Sequence, residues 1–283
     1  MGPGAQGIGR CSPPVVSLLT DYGLADGFVG VLHSVLHRRL PGVAVVDLGH
    51  ETRPGDVRAA SLALRRAAPY LSPGVVVAVV DPGVGTTRRA VAIKAKHADL
   101  VFVGPDNGLL LPALDRLGGA SSAVEIRLRF TEVPGSGPTF DGRDVFAPAA
   151  ALLAGGGEVD RLGPPVPVPG LQRLPVPVCR GLPGGALEAE VTWVDRYGNV
   201  QLAAAPGDLS PTGRGTGARL VVSVPGGGRH EARWVKAFAD LGPGELGTLV
   251  DSDGHVALCL NGAPASARLR VGETDRLVLS PAG

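Results

Sequence analysis

The carboxylates best placed for chemistry stand at apolar runs: Asp21 in Thr20-Asp21-Tyr22-Gly23, Asp47 within a second run, and Asp81 in Asp81-Pro82-Gly83-Val84-Gly85. A lone strand-end aspartate commonly serves as a turn former or helix N-cap. Asp81 is less ordinary, because the proline and two glycines after it turn the chain tightly and leave its carboxylate at a strand tip. Arg88 and Arg89 close that loop, and Arg88 can return to pair with Asp81. Three more polar clusters follow: Gly104-Pro105-Asp106-Asn107-Gly108, Thr139-Phe140-Asp141-Gly142-Arg143-Asp144 and Asp195-Arg196-Tyr197-Gly198-Asn199. Each also reads as a turn, since Asn-Gly and Asp-Gly favour positive φ.

Other chemistries find less support. Gly83-x-Gly85 lacks both the third glycine of a dinucleotide loop and the Gly-Lys-Ser/Thr of a phosphate loop. Asp251-Ser252-Asp253-Gly254 resembles the start of a calcium loop but has no closing glutamate, so it reads as a hairpin turn. There is no Gly-x-Ser-x-Gly elbow. Cys11, Cys179 and Cys259 are widely spaced and odd in number, which indicates reduced thiols in a cytoplasmic protein rather than a disulfide framework or a zinc site. What remains is an acidic pocket at sheet tips, suited to a cationic small molecule carrying hydroxyls.

The elements that must position these groups read as an α/β fold with a mostly parallel sheet. Continuous apolar runs at 15–20, 43–48, 75–80, 91–95 and 100–103 alternate with helical patterns at 28–39, 56–68, 108–117 and 145–153. Runs without polar alternation argue for a sheet covered on both faces. Prolines then crowd the segment 155–185, which no helix or central strand tolerates well. Beyond it, short strands at 189–194, 219–224, 247–250, 255–260 and 276–279 suggest a small β-barrel or sandwich. The expected division is an N-terminal three-layer α/β domain at 14–170, a Pro/Gly-rich linker at 171–185 and a C-terminal β-barrel domain at 186–283.

Composition narrows the partners. With 27 basic against 26 acidic residues and a formal charge of +1, the chain has no broad electrostatic footprint for nucleic acid or anionic membrane. Only 4% of residues are aromatic, too few for a base-stacking surface. The first 13 residues lack the apolar stretch of a signal peptide, and no apolar run approaches the ~18 residues of a membrane span.

The motifs resemble, in order, those of the S-adenosylmethionine (SAM) hydroxide adenosyltransferases, also called adenosine-forming SAM hydrolases, which are related to fluorinase and chlorinase. The resemblance rests on Leu19-Thr20-Asp21-Tyr22-Gly23 with Asp26 and Phe28-Val29-Gly30, on Val80-Asp81-Pro82-Gly83-Val84-Gly85 through Arg88, and on the three later clusters. It implies an α/β domain followed by a β-barrel, a homotrimer, and SAM lying between the N-terminal domain of one subunit and the C-terminal domain of its neighbour. Asp21 would accept hydrogen bonds from the ribose hydroxyls, and Asp26, Asp195 and Ser252 would hold the methionine end. Tyr197 would stack on adenine, Asn199 would contact the base, and the backbone around Leu260 and Gly262 would line it. Asp81, oriented by Arg88, would hold the water that attacks ribose C5′, releasing methionine and leaving adenosine without metal or cofactor. Halogenating relatives carry tyrosine at the position of Asp81, and fluorinase carries threonine at that of Val84; both differences favour water over halide.

One departure concerns Asp141. The hydrolytic family has histidine there, completing an Asp-Arg-His set, so Asp141 is a third candidate catalytic residue of altered chemistry. An ionised carboxylate cannot donate a hydrogen bond, and it adds charge near Asp81. The alternative implied is a SAM- or adenosine-binding protein with weak or no turnover.

Overall fold

A computed structural model describes residues 14–130, 137–209 and 214–282; Cys11 and the remainder of the first 13 residues lie outside them. The chain divides into two compact units, with the division between Leu174 and Pro175.

The first unit runs β1 (Val15–Thr20), α1 (Phe28–Arg39), β2 (Ala44–Gly49), α2 (Val57–Ala67), β3 (Gly74–Val79), β4 (Ala90–Ala95), β5 (Leu100–Pro105), α3 (Leu111–Arg116), β6 (Ala120–Glu125) and α4 (Ala147–Ala154). The six strands form one sheet in the order β2-β1-β3-β5-β4-β6. β1 is parallel to β2 and β3, and β3 to β5, while β4 runs antiparallel to both its neighbours. Alternation within β3 shows why its sequence is apolar throughout. Val75, Val77 and Val79 join a core with Leu32 and Leu36 of α1 and Ala147 and Ala150 of α4. Val76 and Ala78 face the other way, into a core with Ala60 and Leu64 of α2 and Leu111 and Leu114 of α3. Successive strand residues point to opposite faces, so a sheet covered on both needs apolar side chains at every position.

Two local features sharpen the expected boundaries. Asp56 caps α2, its Oδ1 accepting from Ala59 N at 2.9 Å, so the helix starts one residue later than its apolar pattern suggests. A π-type turn at Gly142–Phe146 leads directly into α4.

The proline-rich segment lies along the sheet edge before it reaches the second unit. Glu125 N donates to Pro164 O, Arg127 N to Leu162 O and Val166 N to Ala123 O, at 2.9, 3.0 and 2.8 Å. Proline suits such an edge, where one side of the strand needs no further donors. Gly163 makes the approach possible: a Cβ there would fall 2.1 Å from Glu125 O. Leu171, at the start of the expected linker, is buried in the first unit.

The second unit comprises β7 (Cys179–Gly181), β8 (Leu187–Val194), β9 (Val200–Leu202), β10 (Arg219–Ser223), β11 (Arg229–Trp234), β12 (Leu246–Val250), β13 (Val256–Leu260), α5 (Ala265–Leu269) and β14 (Arg276–Pro281). Strands β14-β10-β11-β12-β13-β9-β8 follow one another, and β14 also pairs with β8, so seven strands close into a barrel. β7, inside the expected linker, adds to β8 on the side away from β14. Leu187, Val191, Leu220, Val222, Leu258, Leu277 and Leu279 fill the interior. Closure pairs the strand edges that an open sheet of this size would expose. Cys179 and Cys259 are free thiols; burial pushes that of Cys259 up to about 12.

Candidate active site

Because β1, β3 and β5 are mutually parallel, Asp21, Asp81 and Asp106 all emerge at the same edge of the sheet, where open α/β folds bind ligands. Asp21 and Asp81 line a cavity of ≈ 290 Å³ with Tyr22, Phe28, Phe140 and Asp141. Asp21 Oδ2 accepts from Gly55 N at 2.7 Å, which fixes the carboxylate at the cavity rim. Asp26 lies on the exposed loop before α1.

The Asp81 loop folds as its composition requires. Val84 N donates to Asp81 O and Thr86 N to Gly83 O, both at 3.2 Å, and these successive turns bring Arg88 back over the strand tip. Arg88 donates from Nε to Asp81 Oδ1 at 3.1 Å and from Nη2 to Asp81 Oδ2. The same Nη2 donates to Asp141 Oδ2 at 2.7 Å. The guanidinium lies 5.6 Å from the ring centre of the buried Phe146, a contact that helps fix its plane. Side chains of Asp81, Arg88 and Asp141 are 5, 10 and 8% exposed, so these charges interact with little solvent screening.

Asp141 is not the helix cap that its position before a helical turn suggests, for its side chain makes no cap bond. Its Oδ2 takes Arg88 and its Oδ1 takes Nη2 of Arg129. Asp144 is held in turn by Arg143, Nε to Oδ1 at 2.7 Å and Nη2 to Oδ2 at 2.9 Å. Burial pushes the Asp81 carboxyl up; Arg88 opposes this and Asp141 adds to it, leaving the pKa above the usual aspartate value. Burial, then the carboxylates of Asp21, Asp81 and Asp141, push the Tyr22 phenol well above its usual range. Tyr22 is therefore a neutral hydroxyl at physiological pH, able to donate a hydrogen bond.

Aromatic rings make the other wall. Phe140 meets Tyr22 edge-on at 5.7 Å and Phe28 at 5.2 Å, and Tyr22 and Phe28 lie 5.8 Å apart. An acidic rim beside π faces suits a compact cation.

Two other aspartates, Asp106 and Asp47, are engaged in bonds within the fold. Asp106 Oδ2 takes both Nε and Nη2 of Arg89, at 2.9 and 2.5 Å, and its Oδ1 accepts from Gln172 N at 2.9 Å. Asn107 Nδ2 donates to Val80 O at 2.8 Å, tying the turn after β5 to the residue before Asp81. Asp47 takes Nε2 of His33 at 2.9 Å and of His50 at 3.1 Å on one oxygen. Burial works to raise its pKa, but hydrogen bonds from those histidines outweigh it and hold it below the ordinary value.

In the second unit, Asp195 organises its own turn. Its Oδ1 accepts from the backbone of Tyr197 and Asn199 at 2.9 and 2.8 Å, and its Oδ2 from Asn199 Nδ2 at 2.8 Å. Ser266 N donates to Gly198 O at 2.9 Å, which brings this turn against the segment after Leu260 and Gly262. Tyr197 is 74% exposed there, a ring free of the barrel core. Ser252 lies in the hairpin before β13, where its neighbours Asp251 and Asp253 accept from Gln201 Nε2 of β9 at 2.6 and 3.3 Å, two residues from Asn199. Gln201 thus links the Asp195–Asn199 turn to the hairpin that carries Ser252, while the Ser266 bond sets the same turn beside the segment after Gly262.

Arg129 escapes notice in the sequence, since it belongs to no motif and follows β6 in a stretch of alternating arginines. Tyr22 and Phe140 sit inside quoted motifs, and their adjacency to Asp21 and Asp141 was the available signal. Among the described residues, no group of three His, Cys, Asp or Glu side chains is arranged to hold a metal ion.

Comparison with known proteins agrees with this architecture. The model of the SAM hydroxide adenosyltransferase N-terminal domain matches residues 16–163, and that of the C-terminal domain matches 189–278. The (R)-S-adenosyl-L-methionine hydrolase of Salinispora tropica is 47% identical over 264 residues, covering 93% of this chain and 97% of that protein. A fluorinase from an Actinoplanes species is 26% identical, covering 89% and 92%. The crystal structure of an uncharacterized conserved protein from Thermotoga maritima superposes with a TM-score of 0.85 at 35% identity, covering 94% and 99%. With both domains matched in order, the chain belongs to the SAM hydroxide adenosyltransferase family.

Proposed function

We propose that the protein hydrolyses SAM to adenosine and L-methionine, with Asp81 and Arg88 positioning the attacking water. The observation that carries this reading is the buried Asp81–Arg88 pair on the wall of a cavity shared by Asp21, Tyr22 and Phe140. The water oxygen bonds to ribose C5′ as the C5′–S bond breaks, and the bonding pair passes to sulfur. Sulfonium becomes a neutral thioether, so the leaving group needs no proton. The water's proton passes to the Asp81 carboxylate, whose raised pKa suits it to accept one. Arg88 holds that carboxylate by two parallel bonds, which fixes the water in line with the bond to be broken.

The remaining assignments belong to the same proposal. Asp21 binds the ribose hydroxyls, Asp26 and Ser252 the methionine end, Tyr197 and Asn199 the base, and the backbone at Leu260 and Gly262 the adenine edge. Asp195 holds the methionine end as well: three bonds within its own turn fix its carboxylate and Asn199, and Oδ2, with one bond, keeps acceptor capacity for an ammonium. We propose a cytoplasmic homotrimer without cofactor; light scattering tests the assembly, and chelator treatment tests metal independence. The decisive experiment is incubation with SAM in oxygen-labelled water. Labelled adenosine is the expected product. Tight SAM binding without adenosine overturns hydrolysis and leaves a binding protein, while unlabelled adenosine overturns attack by water at C5′.

A further inference from the structure

We propose that Arg129 is a positioning residue for this site: by pairing with Asp141 it cancels a second buried negative charge and so leaves Arg88 to Asp81. The inference rests on the reading that Asp81 acts as a carboxylate. Asp81, Asp141 and Asp144 face Arg88, Arg129 and Arg143, three carboxylates against three guanidinia. Arg143 is committed to Asp144 by two bonds. Asp81 and Asp141 therefore depend on Arg88 and Arg129, and only Arg88 touches both.

Without Arg129, two carboxylates less than a tenth exposed would share one guanidinium through the same Nη2. Two acids in such a site cannot both stay ionised easily, and the pair takes up a proton at higher pH. The other groups facing Asp81 cannot supply the missing charge. Asp21 is itself an acid, and the Tyr22 phenol is neutral. The backbone N–H of Gly83 is already engaged with Asp81. Arg129 Nη1 also lies 3.6 Å from Asp144 Oδ2, so this guanidinium bridges the Asp81 pair and the Arg143 pair.

Arg129 is suited to experiment because its side chain is 39% exposed, and replacing it leaves no hole in the core. The test is the pH dependence of kcat/KM for adenosine release by wild type, R129Q, R129K and the double variant R129Q/D141N. R129Q is expected to move the acid limb up by about one pH unit, a loss of about tenfold on that limb. R129K retains the charge and is expected to recover most of the shift. In R129Q/D141N the surplus carboxylate is gone, and the limb returns toward its wild-type position. An unmoved limb in R129Q overturns the proposal, and so does a shift that persists in the double variant, since Arg129 would then not act through Asp141. NMR titration of labelled aspartate carboxyls reads the same coupling without turnover. If wild type releases no adenosine, the hydrolase reading fails, while a higher Asp81 titration in R129Q still supports the charge coupling and an unmoved one overturns it.

Discussion

The hydroxyl of Tyr22 lies so close to Gly142 that a Cβ on the glycine would fall 2.5 Å from it. Leu32 Cδ2 and Phe140 Cε2 would each be 3.2 Å from the same atom. The glycine is thus the gap into which one wall of the cavity packs. Gly142→Ala should push Tyr22 and Phe140 toward the substrate and cost about 1–3 kcal/mol of stability. The expected kinetic result is a higher KM for SAM with a smaller change in kcat, read from steady-state kinetics beside thermal unfolding.

Asp81→Asn keeps the shape and removes the base. Loss of adenosine production by about 10²-fold or more is expected. Stability should move the other way. The folded-state pKa of Asp81 is raised, so its contribution is fully present below the unfolded pKa and is lost as pH rises through the folded value. At neutral pH the ionised group is therefore a net cost, and Arg88 keeps Asp141 as partner in the variant. A Tm at pH 7 equal to or above that of wild type would bear this out, and a marked fall would contradict it.

Asp141→His introduces the residue that the family resemblance implies at this position, yet here it should lower activity. The imidazole would meet both Arg88 and Arg129, which now share the carboxylate of Asp141. A drop of about tenfold is expected on the size of such pairwise effects. Adding Arg129→Gln should recover part of it, because the ring then faces one guanidinium. Equal activities for the single and double variants would show that the two arginines do not act on this position together.

The barrel should carry its own acid sensitivity. Arg233 donates from Nε and Nη2 to the two oxygens of Glu245 at 2.6 and 2.9 Å, and Gly242 N adds a third bond at 2.9 Å. Led by the Arg233 bonds, these hold the Glu245 carboxyl down from its ordinary 4.5 to about 2. Its stabilisation is present above 4.5 and is lost as pH falls from there to about 2. Glu245→Gln should flatten the dependence of Tm on pH across that window, and an unchanged slope would refute the assignment.

Which elements could be read in advance depended on how each buries its side chains. The runs that became β1, β3 and β5 carry polar side chains only at Ser17 and Thr20 of β1, because both faces are covered, and they needed no partner to be recognised. β6 and β11 lacked that signal. Ser121 and Ser122 of β6 are exposed at the sheet edge, and in β11 only Ala232 and Trp234 turn fully inward among charged residues. β7 and β9, at three residues each, are too short for any periodicity to show.

The site divides in the same way. By itself the sequence determined the Asp81–Arg88 pair, because proline and glycine force a turn whose closure is local, and it determined the motif order that marks the family. Only the tertiary structure decided what surrounds that pair. Arg88 and Asp141 stand 53 residues apart and Arg129 belongs to no motif, yet packing of the turn before α4 against the strand tips joins all three. Chain turns act over a few residues and leave a mark in composition. Ion pairs across a fold depend on where distant backbone segments come to rest, and a side chain's identity alone does not carry that information.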